Sequence, residues 1–284
     1  MRSYHLALAF VLLSLSGTGL GQAASPAVLV PEVLSPDDMA EMDNVLNSIL
    51  SADDSQAPQL TPPAMLPLMS PELALQTYQA RATQQAAGLT SYTSTSVIRA
   101  ELPESKQLGE YEVKRQYSAP KSLLFTGLHF SGDTFVKANV IARLMQSEVE
   151  QVQKDDSSAM AFTAANYKFS YKGLQSVDGR ALHEFQVKPR KRRVGLLKGS
   201  LFLDARTGSL VHLDGVPAKS PSVFLSKIRV SQDFADFGAF TLPVHLHSEA
   251  KARIVGRTIV DVYQRDYQVV PGMAQIARGA VPTE

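Results

Sequence analysis

His245 and His247 stand two residues apart in an alternating stretch, so a strand there carries both imidazoles on one face, as a two-histidine metal site on a sheet requires. That face also carries Thr241, Pro243 and Glu249, the wet side by alternation, and the sequence places no third ligand beside the pair. No metal and no cofactor is therefore expected. His129, His183 and His212 stand singly in strand-like segments and have the character of polar-face residues rather than catalytic bases. Asp204 and Asp233 are the carboxylates a hydrolase would call on, yet each is explained as a turn or edge residue. The chain has no G-x-S-x-G elbow, no phosphate-cradling glycine loop and no H-E-x-x-H. It also has no cysteine, which removes disulfides, thiolate ligands, cysteine nucleophiles and lipid attachment through a cysteine. The expectation is a protein that is not an enzyme.

Two further constellations point to binding. Lys188, Arg190, Lys191, Arg192 and Arg193 put five positive charges into six residues, and Pro189 among them argues for an exposed loop. Such a loop is either simply solvated or a contact for lipid head groups, where each basic residue near an anionic membrane contributes about 1 kcal/mol. Val194 to Leu197 would extend that contact into the apolar layer. The second constellation is collective: Tyr167, Phe169, Leu201, Leu203, Ile228, Val230, Leu242, Val244, Leu246, Val260 and Val262 alternate with polar residues and make a wide apolar surface. Any one of them is explained by core packing. Together they exceed what two or three helices cover, and a curved sheet with helices over its mouth forms an apolar pocket.

The elements that position these residues follow from the same periodicity. Alternation predicts strands near 90–100, 110–117, 121–130, 162–171, 181–187, 196–204, 209–214, 223–234, 239–250 and 254–268, with hairpin chemistry at Asp178-Gly179 and at Asp204 to Gly208. Ser70 and Pro71 start a helix that Gly88 ends, and Asp133 precedes a second one whose Val136, Val140, Ile141, Leu144, Met145, Val149 and Val152 share a face. The fold class expected is α+β: a strongly curved antiparallel sheet of about ten strands, a half-open barrel, covered by two or three helices.

Upstream, Arg2, the apolar Leu6 to Leu15 and the small residues through Ala23 have the order of a secretory signal, with cleavage after Ala23 or Ala24. A Pro-rich arm then spans 24–69, with one amphipathic helix at 36–50 opened by Ser35 and Pro36. The main domain runs 70–271 and a tail 272–284. Of 28 basic residues only Arg2 lies in the signal, leaving 27 against 27 acidic ones, and a balanced charge does not favour nucleic acid.

Four segments resemble the periplasmic lipoprotein-carrier (LolA-like) superfamily of outer-membrane lipoprotein-sorting proteins: Asn166 to Tyr171, His183 to Pro189, Gly199 to Gly208, and Gly238 to Pro243. One strand ends in proline, the next carries a hydrophobic-Asp turn, and a later one has Gly, an apolar pair and Pro. The resemblance spans Glu110 to Tyr267 and implies a half-open β-barrel closed by helices that binds acyl chains or a lipidated protein. The Pro-rich arm and the helix after Asp133 depart from the small carriers, and no carrier binding residue maps onto this chain. The function expected is an exported periplasmic protein, soluble after signal cleavage, that carries or senses a lipid or the acyl part of a lipoprotein, with transient membrane contact. The alternative is an envelope interaction or stress-sensor protein that docks a partner polypeptide on the same sheet.

Overall fold

In the computed structural model the described residues are 67–154, 157–221, 225–253 and 255–272. The signal segment, the Pro-rich arm up to Leu66 with its 36–50 helix, and all of the tail beyond Gly272 lie outside them. Helix α1 is Pro71–Gly88, with Ser70 accepting from the Leu73 N–H as its cap and Pro71 at the first helical position. It runs directly into β1 (Leu89–Leu102), and Gly88 ends it as expected but without the positive φ of a left-handed stop. Strands β2 (Gln107–Ser118) and β3 (Ser122–Gly132) follow.

A second helical stretch begins with α2 (Thr134–Val136), widens into a π segment (Lys137–Ile141) and continues as α3 (Ala142–Lys154). Asp133 does not cap it through its side chain; its carboxylate instead accepts from the Leu108 N–H and ties the helix start to β2. A short turn, α4 (Ser157–Met160), leads to β4 (Tyr167–Val177), β5 (Arg180–Pro189), β6 (Leu197–Asp204), β7 (Leu210–Pro217), β8 (Leu225–Phe237), β9 (Phe240–Ala252) and β10 (Gly256–Pro271).

All ten strands join one antiparallel sheet in the order β3-β2-β1-β10-β9-β8-β7-β6-β5-β4. Two meanders meet where the last strand pairs with the first. The half-open barrel expected from the sequence is corrected here: the sheet is open, neither closed nor strongly curled, and β3 and β4 are separate edges with one neighbour each. Alternation within a strand tells which face is dry, but the angle between successive strands leaves no mark in that pattern. Closure is not needed because the helical layer covers the dry face: Val136, Val140, Ile141 and Leu144 lie in one core cluster with Ile98, Val113, Leu201 and Leu213.

Helix α1 is fastened at both ends. The Met69 N–H donates to the Ala205 carbonyl at 2.7 Å, and Gly208, with a positive φ of 67°, lets the β6–β7 turn approach Ala74 and Thr77 where a Cβ would collide. At the other end Gln85 acts as a surrogate strand residue: its Nε2 donates to the Thr241 carbonyl at 2.9 Å and its Oε1 accepts from the Thr241 N–H at 2.8 Å. The helix is thus held across β6 to β9.

The turn that receives α1 is organised by Asp204. Its Oδ1 accepts from the Arg206 and Thr207 N–H groups, both at 2.9 Å, and its Oδ2 from Arg180 at 3.0 Å. Burial works to raise its pKa, but the backbone donors and Arg180 outweigh it and hold the carboxyl below its ordinary value. A depressed folded-state pKa gives stability that is present above the unfolded value of about 3.9 and is lost as pH falls through the folded one. Asp204→Asn is therefore expected to cost about 1–2 kcal/mol at pH 7 and progressively less as pH falls below the ordinary carboxylate range. Urea unfolding of both proteins across that range checks it; a pH-independent difference would contradict it.

Candidate ligand cavity

Between α1 and α3 on one side and the sheet on the other, the two layers do not fully interlock, and a cavity of about 130 Å³ lies between them. Tyr78, Ala82 and Gln85 of α1 form one wall, Glu148 and Val152 of α3 another, and Met160 at the end of α4 with Phe162 just after it a third. The sheet supplies the floor: Tyr92, Arg115, Gln232, Phe234, Leu246 and Val262 come from five strands. The lining is mixed, with aromatic and aliphatic surface interrupted by a few buried polar groups, as in small-molecule sites.

The strongest of these polar groups is an ion pair. Arg115 is 5% and Glu148 4% exposed, and the Arg115 Nη1 donates to Glu148 Oε2 while its Nε donates to the Tyr92 hydroxyl at 3.0 Å. The guanidinium carbon lies 5.5 Å from the Phe125 ring centroid. Burial opposes the charged guanidinium, but Glu148, Tyr92 and Tyr267 outweigh it and push its pKa up, so Arg115 stays a cation. Tyr92 stacks on Tyr117 at 5.3 Å and touches Tyr267 at 5.6 Å; the Tyr267 hydroxyl donates to the Pro243 carbonyl at 2.7 Å. Burial raises the phenols of Tyr78 and Tyr267, so neither supplies a phenolate near neutral pH. At the rim Arg81 pairs with Asp236 at 3.2 Å, and Asp236 also accepts from Ser209 and Thr241, each at 2.6 Å.

The residues singled out by alternation divide among several places. Leu246 and Val262 line the cavity. Tyr167, Leu201, Leu203, Ile228, Val230 and Val260 are buried in the main core cluster, with Phe169 half-buried against it. Tyr167 packs on Phe162 at 4.6 Å and accepts from the Leu197 N–H; burial pushes its phenol up to about 12. Leu242 is fully buried in a second cluster with Leu89, Tyr92 and Phe240, and Val244 is half-buried. The division within β9 has a local cause: the register shifts between Asp233 and Phe234, so His245 faces Asp233 while Pro243 faces Phe234, and Val244 is the extra residue.

In the basic segment, Arg190 Nε donates to the Ala164 carbonyl at 2.7 Å and Arg192 Nε to the Ala218 carbonyl at 3.1 Å, so two of the five cations fasten neighbouring loops. Lys188 and Lys191 are exposed, and Arg193 is half-buried. Val194 is exposed, whereas Leu196 and Leu197 point into the core.

On the other face of the sheet the histidines and carboxylates alternate. His212 and His245 approach Asp233 at 2.6 and 3.2 Å, His245 and His247 approach Asp261 at 3.3 and 2.8 Å, and His247 lies 3.6 Å from Glu249. Among the described residues no group of three or more such side chains converges as a metal site would need. His183 is instead buried between the Tyr171 hydroxyl at 3.1 Å and the Met69 carbonyl at 3.0 Å, and His129 is exposed.

The Arg115–Glu148 pair and Gln232 were missed by sequence reasoning, although parity carried a signal. Arg115 shares the inward parity of Val113, and Glu148 falls one helical turn beyond Leu144 on the apolar face.

No family model matches the chain, and no curated protein matches its sequence. Among solved structures it is similar to a protein described as an outer membrane lipoprotein-sorting protein domain from Vibrio parahaemolyticus, at 10% identity and a TM-score of 0.37, covering 70% of this chain and 92% of that one. A LolA superfamily protein from Nitrosomonas europaea gives 13% identity and a TM-score of 0.36 over 72% and 96% of the two chains. The MucA/MucB complex of Pseudomonas aeruginosa gives 14% and 0.24 over 72% and 96%.

Proposed function

We propose that this protein is an exported, non-catalytic binding protein that takes the apolar part of a lipid or of a lipoprotein's acyl chain into the cavity between its helices and its sheet. The observation that carries the proposal is that cavity itself, set between the helices and the sheet beside the main core and lined by Phe162, Phe234, Leu246 and Val262. Each methylene moved from water into such a lining contributes about 0.8 kcal/mol, so a partly enclosed chain binds without covalent chemistry. The exposed Lys188 near the end of β5 and Lys191 just beyond it are the places where the chain would meet a head-group surface.

Ala82 offers a way to close the site from the helix side. It lines the cavity from α1 and is only half-buried, so a larger side chain there enters empty space rather than a packed core. Protein purified from its native envelope is expected to carry about one apolar molecule per chain by native mass spectrometry, and Ala82→Trp to lose it while keeping the wild-type far-ultraviolet dichroism. A wild-type protein that is empty and also refuses added lipid would overturn the proposal and favour docking of a polypeptide partner. So would a folded Ala82→Trp variant with undiminished uptake.

A further inference from the structure

Gln232 is a side chain of the cavity floor that packing does not explain. It sits on β8 between Val230 and Phe234 on the inward face, is 4% exposed, and lines the cavity. Its neighbour across the ladder is Leu246, so a leucine or methionine would suit the position sterically. Yet it is a carboxamide, and its Oε1 has no hydrogen-bond partner among the described residues. Buried polar groups are paired in the great majority of cases, and an orphan lining a cavity is what a ligand-binding group is before its ligand arrives. Whichever way its oxygen and nitrogen are assigned, a carboxamide offers both an acceptor and donors.

The charges around the cavity narrow the ligand further. Its lining contains two cations, and each is already matched: Arg115 by Glu148 and Arg81 by Asp236. An entering carboxylate or phosphate would find no uncompensated positive charge, and it would bring acceptors only to a place where an acceptor already lacks a donor. Desolvating such an anion without a partner is strongly unfavourable. A neutral head that both donates and accepts meets Gln232 on equal terms.

Resting on the proposed binding of an apolar chain in this cavity, the geometry points to a ligand whose chain ends in a neutral donor–acceptor head, a carboxamide or a hydroxyl, seated on Gln232. Chains ending in a carboxylate are discriminated against. Gln232 is thus a specificity-determining residue of the site, and the apolar walls supply the affinity.

The test is calorimetric titration of the intact protein with decanamide, 1-decanol and decanoate at pH 8, repeated with Gln232→Met, a change of nearly equal volume. In the wild type the tighter of the two neutral probes is expected to bind at least ~10-fold better than decanoate. In Gln232→Met that probe weakens by roughly 5- to 10-fold, while decanoate moves by less than about twofold. The ligand-free melting temperature of the variant should equal or exceed that of the wild type, because an orphan polar group has been removed. Decanoate binding as tightly as the neutral probes, or a folded Gln232→Met that keeps their full affinity, overturns the head-group inference alone. Failure of all three probes to bind overturns the apolar-ligand proposal as well. A Gln232→Met protein that melts well below the wild type shows that Gln232 holds the fold and overturns its assignment to the ligand.

Discussion

Arg115→Leu and Glu148→Leu, made singly, are each expected to cost about 3–5 kcal/mol, whereas the two combined recover most of that loss. The reasoning rests on burial. Both side chains are 6% exposed, so removing one leaves the other as an uncompensated charge without water. Removing both exchanges a desolvated pair for hydrocarbon of similar volume, which is close to neutral in most measured cases. Arg115→Leu also strips the Tyr92 hydroxyl of its donor, so it should be the more costly single change. Because Arg115 stands on β2 and Glu148 on α3, the same pair fixes the helical layer to the sheet at the edge of the cavity. Urea unfolding of the four proteins yields the coupling energy directly. Single variants within about 1 kcal/mol of the wild type would mean that water reaches the pair and that its surroundings are not dry.

How far the sequence could be taken depends on which signals are local. All ten strands show as period-two alternation and the helix after Asp133 as an apolar stripe, because side-chain direction is a property of each segment by itself, whereas α1 shows only through its Ser70 and Pro71 start. Boundaries slip where a loop imitates a strand: Phe162 alternates with its neighbours as a strand residue would, yet β4 begins at Tyr167 and Phe162 forms a cavity wall. The openness of the sheet is not legible, since it depends on angles between strands, and neither is the pairing of β1 with β10, which joins segments more than 150 residues apart.

The cavity shows the same division. Leu246 and Val262 sit opposite each other on β9 and β10, and their inward parity is plain in the sequence. Leu242 has the parity of Leu246 by counting, but the bulged Val244 between them sends it to another cluster. A single extra residue reverses the face of everything beyond it, and no pattern of period two reveals where that residue is. The polar groups were hidden for a different reason. A charge at inward parity looks like an imperfection until its partner is known, and Glu148 lies 33 residues from Arg115 on a different element.

Leu201→Ala is expected to lower stability by about 2–5 kcal/mol and to leave uptake of an apolar ligand, measured per folded molecule, unchanged. Leu201 is fully buried between its ladder neighbours Phe185 and Leu213, and its side chain belongs to the core rather than to the cavity lining. Truncation there opens a new void in a dense region, and the full cavity cost falls on folding. Leu246→Ala is the counterpart. Leu246 already borders empty space, so its truncation enlarges an existing cavity and should cost less in stability, while removing hydrocarbon the ligand would touch and weakening uptake by ~5-fold or more. Chemical unfolding and titration with decanamide, applied to both variants, separate the two roles. If Leu201→Ala weakened uptake as much as Leu246→Ala does, the ligand would have to reach along β6 and β7, and the apolar alternation of those strands would belong to the binding surface rather than to the core beneath it.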